Sequence, residues 1–270
     1  MQGPDMNNKL LHILLRFREH EWAVMGDVEA MYHQVLVPED DRDALRFLWY
    51  DGDQVKHFRM TRHIFGGVWS SSAATYALRR SVDDYGGIDE LVDETIRKSF
   101  YVDDCLSSAT SRGEAIRIIQ GAVSVLSEGG FRLTKFVSND KEVLKSVPES
   151  ERAKEVKDLS FTDSSKALGV RWDISSDELF FHMLMDKDGP VTRRRILSII
   201  SSMFDPLGLV SPVLIIGKVL FQNATRLKLG WDENLHPDLT DKWYAWLRTM
   251  EFVRMIKVPR CVKPSMFDDA

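Results

Sequence analysis

The stretch "SFYVDDCLSSA", residues 99–109, constrains the fold most strongly, because it places two adjacent carboxylates inside a β-prone, apolar run. Carboxylates rarely enter a buried sheet unless they are paired or bound to a cation. The run therefore predicts two strands joined by a turn formed by Asp103 and Asp104. Taken alone, the turn is either a solvated loop or a cation site, and the abundance of acidic turns favours the loop.

The elements around this hairpin predict an α+β sheet. A strand that contains Asp27 comes first, and a helix from Ser70 leads towards the hairpin. A further helix begins at a capping box of Ser111 and Glu114, and "FRLTKFV" forms the last strand. The order strand, helix, hairpin, helix, strand is the split βαβ pattern of ferredoxin-like domains. Because the first strand lies beside the hairpin in such a sheet, we expect Asp27 to meet the acidic turn.

Further patterns predict local structure along the chain. Asn7 and Asn8 are candidate caps of a first helix, and the strand with Asp27 extends over residues 22–37. A hairpin turns at Asp51 and Gly52, and residues 138–163 read as an exposed, partly mobile connection. The C-terminal part predicts a hairpin about residues 175–176 and helices over residues 192–203, 212–229 and 239–256.

Composition excludes several classes of protein. The 270 residues, 44% of them apolar, suffice for one large domain or two modest ones. The longest apolar stretch, residues 208–221, is interrupted by Ser211, Pro212 and Lys218, and the N-terminus lacks a signal pattern, so we expect neither a membrane span nor secretion. Two cysteines without metal-ligand spacing fit a reducing compartment. The net charge of -5 is mildly unfavourable for nucleic-acid binding, although residues 191–229 are locally basic.

Three carboxylates that meet would repel one another, and their pKa values would rise unless a metal ion neutralised them. Mg²⁺ prefers oxygen ligands and suits such a site. Two such ions can activate a 3′-hydroxyl and stabilise a leaving pyrophosphate, which is the two-metal scheme of phosphoryl transfer.

Several motifs resemble a known enzyme family. "DVEAMYHQV", residues 27–35, and "YVDD", residues 101–104, are similar to motifs of the reverse transcriptases of long-terminal-repeat retrotransposons. "FGGVWSSSAATYALRR" resembles that family's Phe-Gly motif, although the family usually has proline where Ser71 stands. "GGFRLTKFVSN" resembles the fourth motif, and "LGVRWD" resembles the primer-grip hairpin. "GPDMNNKLLHILLRFR" and residues 192–222 look like the BEL/Pao class specifically, so the resemblance covers nearly the whole chain.

The resemblance implies a ferredoxin-like polymerase palm with partial fingers over residues 1–165. A primer-grip-like hairpin would follow over residues 166–190, and a helical thumb or connection region over residues 191–270. Asp27 and Asp103 would bind two Mg²⁺ ions, with Mn²⁺ as an alternative, Asp104 would be a weaker or outer ligand, and the Val28 carbonyl would complete one coordination shell. The other implied residues are Tyr32, Phe65, Gly66 and Lys135 for the nucleotide, and Tyr101, Val102, Leu168, Gly169, Arg193, Arg194 and Arg195 for primer and template.

Each implied role has a plainer alternative. Tyr32 would lie under the sugar, where a large ring excludes a 2′-hydroxyl, or it is a core aromatic residue on a strand. Val102 would pack near the primer end or is an ordinary strand residue. Lys135 and the three arginines would contact phosphates or are simply exposed. Trp243 and Trp246 are assigned to the core.

These features predict an RNA-directed DNA polymerase segment of a retrotransposon polyprotein. Its partners would be an RNA or DNA template with a primer, and deoxynucleoside triphosphates, in the cytoplasm or in virus-like particles there. The sequence shows no protease triplet and no acidic cluster typical of ribonuclease H. Only 26 residues precede Asp27, whereas the triphosphate-binding bases of similar enzymes come mostly from earlier strands. We therefore also expect either a polyprotein fragment or an inactive relic that binds nucleic acid or protein; a nucleotidyl cyclase is disfavoured by Tyr32.

Overall fold

The central strand β1, Trp22–Val28, pairs on both sides within a four-stranded antiparallel sheet. The computed structural model describes residues 3–156, 164–183 and 189–263. The chain forms two units, residues 1–160 with 261–270, and residues 161–260. The division into three functional segments that the sequence predicts remains a prediction.

The sheet of the first unit has the strand order β4-β5-β1-β6, with β4 at Phe100–Tyr101, β5 at Asp104–Ala109 and β6 at Leu133–Ser138. Helices α3, Ser70–Tyr85, and α4, Glu90–Lys98, connect β1 to the hairpin, and α5, Arg112–Glu128, connects β5 to β6. This is the order expected of the split βαβ pattern, so that prediction is confirmed. The core contains Val24, Leu78, Ile96, Leu126 and Phe136, among others.

Local sequence signals explain where α5 begins and ends. Ser111 accepts a hydrogen bond from the backbone N–H of Glu114 at 3.2 Å, as the predicted capping box requires. The Glu114 carboxylate accepts from the N–H of Thr110 at 2.6 Å, one residue before the cap. The helix ends before Gly130, whose φ of 80° is the left-handed conformation that glycine adopts without a steric cost.

Two predictions near the N-terminus are wrong. Helix α1, Leu10–Phe17, follows Lys9, and no side chain caps it, because the asparagines before it bond elsewhere. Strand β1 stops at Val28, and α2, Met31–Gln34, begins after Ala30, which has a φ of 49°. Tyr32 therefore lies on a short helix and not on a strand, although it is partly buried against the core, as the plainer alternative expects.

The predicted hairpin after α2 is present, with its turn at Gly52 and Asp53, one residue beyond the predicted Asp51 and Gly52. A 3₁₀ helix, Glu39–Leu45, leads into β2, Arg46–Asp51, which pairs with β3, Gln54–Arg59. Gly52 has a φ of 61°, a conformation that two-residue hairpin turns require. Every residue of both strands is exposed.

Residues 139–156 are packed and not an exposed connection, so that prediction is wrong for them. Asp140 caps α6, Lys141–Lys145, by accepting from two backbone N–H groups. The sequence is polar on average, but Val143 and Val156 are fully buried. The rest of the predicted connection, residues 157–163, lies outside the described residues.

The second unit has a sheet of the order β10-β9-β8-β7 and three helices. The strands are β7, Ser164–Ala167, β8, Val170–Asp173, β9, Glu178–Phe180, and β10, Lys257–Pro259, and the helices are α7, Arg193–Ser202, α8, Ser211–Arg226, and α9, Pro237–Val253. The predicted hairpin and helices are thus confirmed. Trp243 and Trp246 are buried, as predicted. Among the described residues, no helix is both long and apolar enough to cross a bilayer.

Candidate active site

Strand pairing brings the three predicted carboxylates to one end of the sheet. Asp27, near the end of β1, is the direct cross-strand partner of Asp104 at the start of β5. The backbone N–H of Val28 donates to the carbonyl oxygen of Asp103 at 2.8 Å, which ties the hairpin turn to the end of β1. The expectation that Asp27 meets the acidic pair is therefore confirmed, although the residues are far apart in sequence.

The hairpin differs from its prediction in one detail. Its two turn residues are Val102 and Asp103, while Asp104 pairs with Tyr101 and belongs to β5. Val102 has a φ of 56°, which is unfavourable for a β-branched residue. Strain of this kind persists only where surrounding contacts fix the backbone.

The carboxylates occupy an unfavourable electrostatic environment. Burial, with repulsion from Asp103 and Asp27, raises the pKa of Asp104 to about 6. Burial also raises the pKa of Asp103, and Asp27 contributes in the same direction. Lys135 partly offsets both effects. The group thus carries more negative charge than its protein neighbours compensate.

Lys135 reaches this group because of a β-bulge. The register between β1 and β6 shifts between Met25 and Asp27, and Lys135 has a φ of 53°. Its Nζ lies 2.8 Å from Oδ1 of Asp27, and this hydrogen bond raises the pKa of Lys135. The bulge and the ion pair were missed by sequence reasoning, which placed Lys135 on a regular strand; its assignment to a nucleotide remains a prediction.

The donor chemistry of the site fits divalent cations. Asp27, Asp103 and Asp104 supply hard carboxylate oxygens, and the backbone carbonyl of Val28 is adjacent in sequence. The raised pKa values of Asp103 and Asp104 indicate that a positive charge beside them would be stabilising. In the described residues, no three His, Cys, Asp or Glu side chains are already arranged around a common point as metal ligands. Occupation by a metal ion would therefore require side-chain rotation.

Two of the predicted nucleotide-binding residues are in contact. The rings of Tyr32 and Phe65 are 5.0 Å apart at an interplanar angle of 60°, and His33 meets the same Phe65 ring at 5.8 Å. Phe65 is 71% exposed although it is a large apolar residue. Gly66 has a φ of 87°, and open space surrounds the position that a Cβ would take.

Ser71, which stands where the similar family has proline, does not disrupt the start of α3. The helix begins at Ser70, and the Ser71 hydroxyl donates to Oδ1 of Asn7 at 2.9 Å. This serine therefore connects the helix to the segment before α1.

The predicted primer and template residues of the second unit contact other residues of that unit. Leu168 and Gly169 form the turn between β7 and β8, with φ values of 50° and 87°. The Arg193 guanidinium lies 4.7 Å from the ring centre of Trp231, and Arg194 pairs with Asp232 at 2.7 Å. Arg195 donates to the carbonyl oxygens of Gly189 and Pro190. Phosphate binding by these arginines remains a prediction.

Comparisons with known proteins give one family match and several similar structures. Residues 192–269 match a family model described as "Pao retrotransposon-like RNaseH-like domain". No curated protein matches the chain. The foamy viral protease-reverse transcriptase in complex with an RNA/DNA hybrid has a similar fold, with a TM-score of 0.57 and 15% identity over 91% of this chain and 29% of that chain.

Two further structures of the foamy viral enzyme, both in complex with double-stranded DNA, also have a fold similar to that of this chain. Their TM-scores are 0.60 and 0.59, at 15% and 17% identity over 93% of this chain and 39% and 46% of theirs. The chain thus spans less than half of each of these proteins. At such identities the likeness concerns the fold, which is a mixed α/β fold matching a retroviral reverse transcriptase region.

The family description and the sequence interpretation disagree about the C-terminal segment. The sequence predicts a helical thumb or connection region, whereas the family model is described as RNaseH-like. The described part of the match contains α7, α8, α9 and β10. This segment is similar to a retrotransposon family, and the fold across the chain matches a retroviral reverse transcriptase region. Together these similarities relate the protein to the pol region of retroelements.

Proposed function

We propose that the chain is the polymerase region of an RNA-directed DNA polymerase from a BEL/Pao-like retrotransposon polyprotein. The observation that carries this proposal is the meeting of Asp27, Asp103 and Asp104 at one end of β1 and β5. A chain selected only to fold would not concentrate three carboxylates beside a single lysine, because burial destabilises the charged forms of Asp103 and Asp104.

The residues have distinct roles in this proposal. Asp27, Asp103, Asp104 and the Val28 carbonyl would hold two Mg²⁺ ions, which lower the pKa of the primer 3′-hydroxyl and stabilise the leaving pyrophosphate when they are bound. Tyr32 and Phe65 form one aromatic surface, which would position the sugar and base of the incoming deoxynucleotide. Gly66 leaves the space that a close approach of the nucleotide to the backbone needs.

The ion pair between Lys135 and Asp27 gives Lys135 a role before a metal ion binds. It supplies the positive charge that the carboxylates need before Mg²⁺ binds. Once released, its ammonium group would be available to the triphosphate. The Lys135 side chain is 61% exposed, so it can move away from Asp27 without a steric clash.

The proposed partners are a primer-template duplex and deoxynucleoside triphosphates. The similar foamy viral structures contain an RNA/DNA hybrid or double-stranded DNA, which supports a nucleic-acid duplex as a partner. Tyr101, Val102, Leu168 and Gly169 would contact the primer, and Arg193, Arg194 and Arg195 the duplex backbone. We propose a cytoplasmic location, including virus-like particles.

The test is primer extension on a homopolymer RNA template with Mg²⁺. The wild-type chain is compared with Asp103→Asn and with Asp238→Asn, which removes one carboxylate at an exposed position in the first turn of α9. We expect extension by the wild type and by Asp238→Asn, and none by Asp103→Asn. Equal extension by the wild type and Asp103→Asn would refute the assignment of this site.

The family description supports a second candidate activity, cleavage of the RNA strand of a hybrid by residues 192–269. The same protein preparation can be incubated with a labelled RNA/DNA hybrid. Cleavage that survives Asp103→Asn would assign this activity to the second unit. Binding of the hybrid with neither extension nor cleavage would identify the inactive relic that the sequence left open.

A further inference from the structure

We infer that Asn8 is a positioning residue for the hairpin that carries Asp103 and Asp104. The inference rests on the proposed function only for the kinetic part of its test. Asn8 precedes α1 and is far from the hairpin in sequence, yet its side chain contacts three elements of the first unit.

The side-chain amide of Asn8 uses all of its polar atoms. Its Nδ2 donates to the carbonyl oxygens of Arg97 at 3.0 Å and Phe100 at 2.9 Å. Its Oδ1 accepts from Nη2 of Arg79 in α3 at 3.2 Å. Because carbonyl oxygens only accept and a guanidinium only donates, these partners fix the orientation of the amide. One side chain therefore joins α3, the last turn of α4 and strand β4.

Both carbonyl oxygens need a partner from outside their own element. Arg97 is in the last turn of α4, where carbonyls have no intrahelical donor. In the adjoining strand pair, the N–H of Leu106 donates to the Ser99 carbonyl. Since hydrogen-bonded and non-hydrogen-bonded pairs alternate, the Phe100 carbonyl points away from β5. Strand β4 is at the edge of its sheet, and Asn8 satisfies this outward carbonyl.

The position of β4 matters because the strained turn follows it directly. β4 consists of two residues, Phe100–Tyr101, and Val102 then adopts its φ of 56°. A turn with such strain keeps its conformation only if both ends are held. The bond from the Val28 N–H to the Asp103 carbonyl holds one end, and the Asn8 bond to the Phe100 carbonyl holds the other.

The neighbouring residue fixes the same segment to α3. Oδ1 of Asn7 accepts from the hydroxyl groups of Ser71 at 2.9 Å and Thr75 at 3.2 Å. The segment before α1 is thus attached to the first turns of α3. This attachment fixes the backbone at Asn8, whose side chain bonds to β4.

The test uses two variants of Asn8, one of which keeps the size of the side chain. Asn8→Asp retains the acceptor for Arg79 but loses both bonds to carbonyl oxygens, and Asn8→Ala removes all three without adding charge. The matched control is Asn139→Asp. Asn139 is equally half-buried, donates to the Glu21 carbonyl at 2.8 Å and accepts from the Ala23 N–H at 2.9 Å, at the opposite end of β1 from the carboxylates.

Single-nucleotide incorporation separates positioning from general destabilisation. We expect Asn8→Asp and Asn8→Ala to lower kcat about tenfold, the equivalent of about 1.4 kcal/mol, with the KM for the deoxynucleotide little changed. Asn139→Asp is expected to keep kcat while losing a similar amount of stability. A normal kcat in both Asn8 variants, or an equal loss in Asn139→Asp, would overturn the inference.

Hydrogen exchange provides a readout that does not need activity. In peptides covering residues 99–106, exchange should accelerate in both Asn8 variants and stay unchanged in Asn139→Asp. If the wild type does not extend primers, the proposed function fails, and this measurement still decides whether Asn8 holds the hairpin. Unchanged exchange in the Asn8 variants would refute it.

Discussion

Replacing Asp104 by asparagine should stabilise the metal-free protein at neutral and alkaline pH. Asn keeps the size of the side chain but removes the charge that burial and repulsion from Asp103 and Asp27 destabilise. The site would then show the trade of stability for function that is typical of catalytic centres. The prediction connects the proposed chemistry to a measurement that requires no substrate.

The magnitude follows from the pKa of Asp104, which rises from 3.8 to about 6 on folding. A difference of this size corresponds to about 3 kcal/mol in the limit of full burial. Because the side chain is only half-buried, solvent screening reduces the expected gain to about 1–2 kcal/mol. Asparagine is not expected to contribute a compensating new bond.

The effect of Asp104→Asn on stability depends on pH. Above pH 6 the wild-type carboxyl is ionised in both states, and the folded state carries the full penalty. Well below pH 3.8 it is protonated in both states, so the penalty disappears. The advantage of Asp104→Asn should therefore be small at pH 4, grow as the pH rises towards 6, and remain nearly constant above that.

The assay must report on the first unit alone, because a chain with two units need not unfold in one step. Hydrogen exchange of peptides from β1 and β5 in EDTA gives the local unfolding free energy at pH 4.5 and pH 8. Asp238→Asn is the control for loss of one negative charge. A stability of Asp104→Asn equal to or below that of the wild type at pH 8 would refute the electrostatic reasoning.

Two further predictions concern packing and a buried ion pair. Gly121→Ala should destabilise the first unit by about 1–3 kcal/mol, because its new Cβ would lie 2.5 Å from a side-chain carbon of Val92. Gly113→Ala in the same helix is the control, because open space surrounds that position and no loss of stability is expected. Equal urea midpoints for the two variants would contradict this prediction. Asp177→Ala should destabilise the second unit by about 3 kcal/mol, because the Asp177 carboxylate accepts hydrogen bonds of 2.7 and 2.8 Å from the fully buried Arg260. Hydrogen exchange of β9 measures this loss of stability, and a loss too small to detect would contradict the prediction.

The elements with strong local signals were predictable from sequence. The helix after the Ser111 cap, the hairpin at Gly52 and the hairpin around Asp103 each follow a short-range rule, and each is present in the structure. The meeting of Asp27 with Asp104 was also predictable, because the strand order of a split βαβ sheet places their strands side by side.

The missed features depend on tertiary contacts. Residues 139–156 are polar on average, but a few apolar side chains such as Val143 suffice to pack α6 against the sheet. The asparagines before α1 have the composition of a helix cap, yet their amides bond to α3, α4 and β4, which no local pattern reveals. The bulge that presents Lys135 to Asp27 likewise requires knowledge of the pairing register.

The strained residues of the first unit lie next to the proposed active site. Among its described residues, the non-glycine residues with positive φ are Ala30, Val102 and Lys135. Ala30 lies between Val28 and Tyr32, Val102 precedes Asp103, and Lys135 contacts Asp27. Each of these conformations costs free energy in a residue other than glycine. Their concentration beside the three carboxylates argues that this end of the sheet was shaped for chemistry, since selection for stability alone would have replaced them by glycine or by a regular strand.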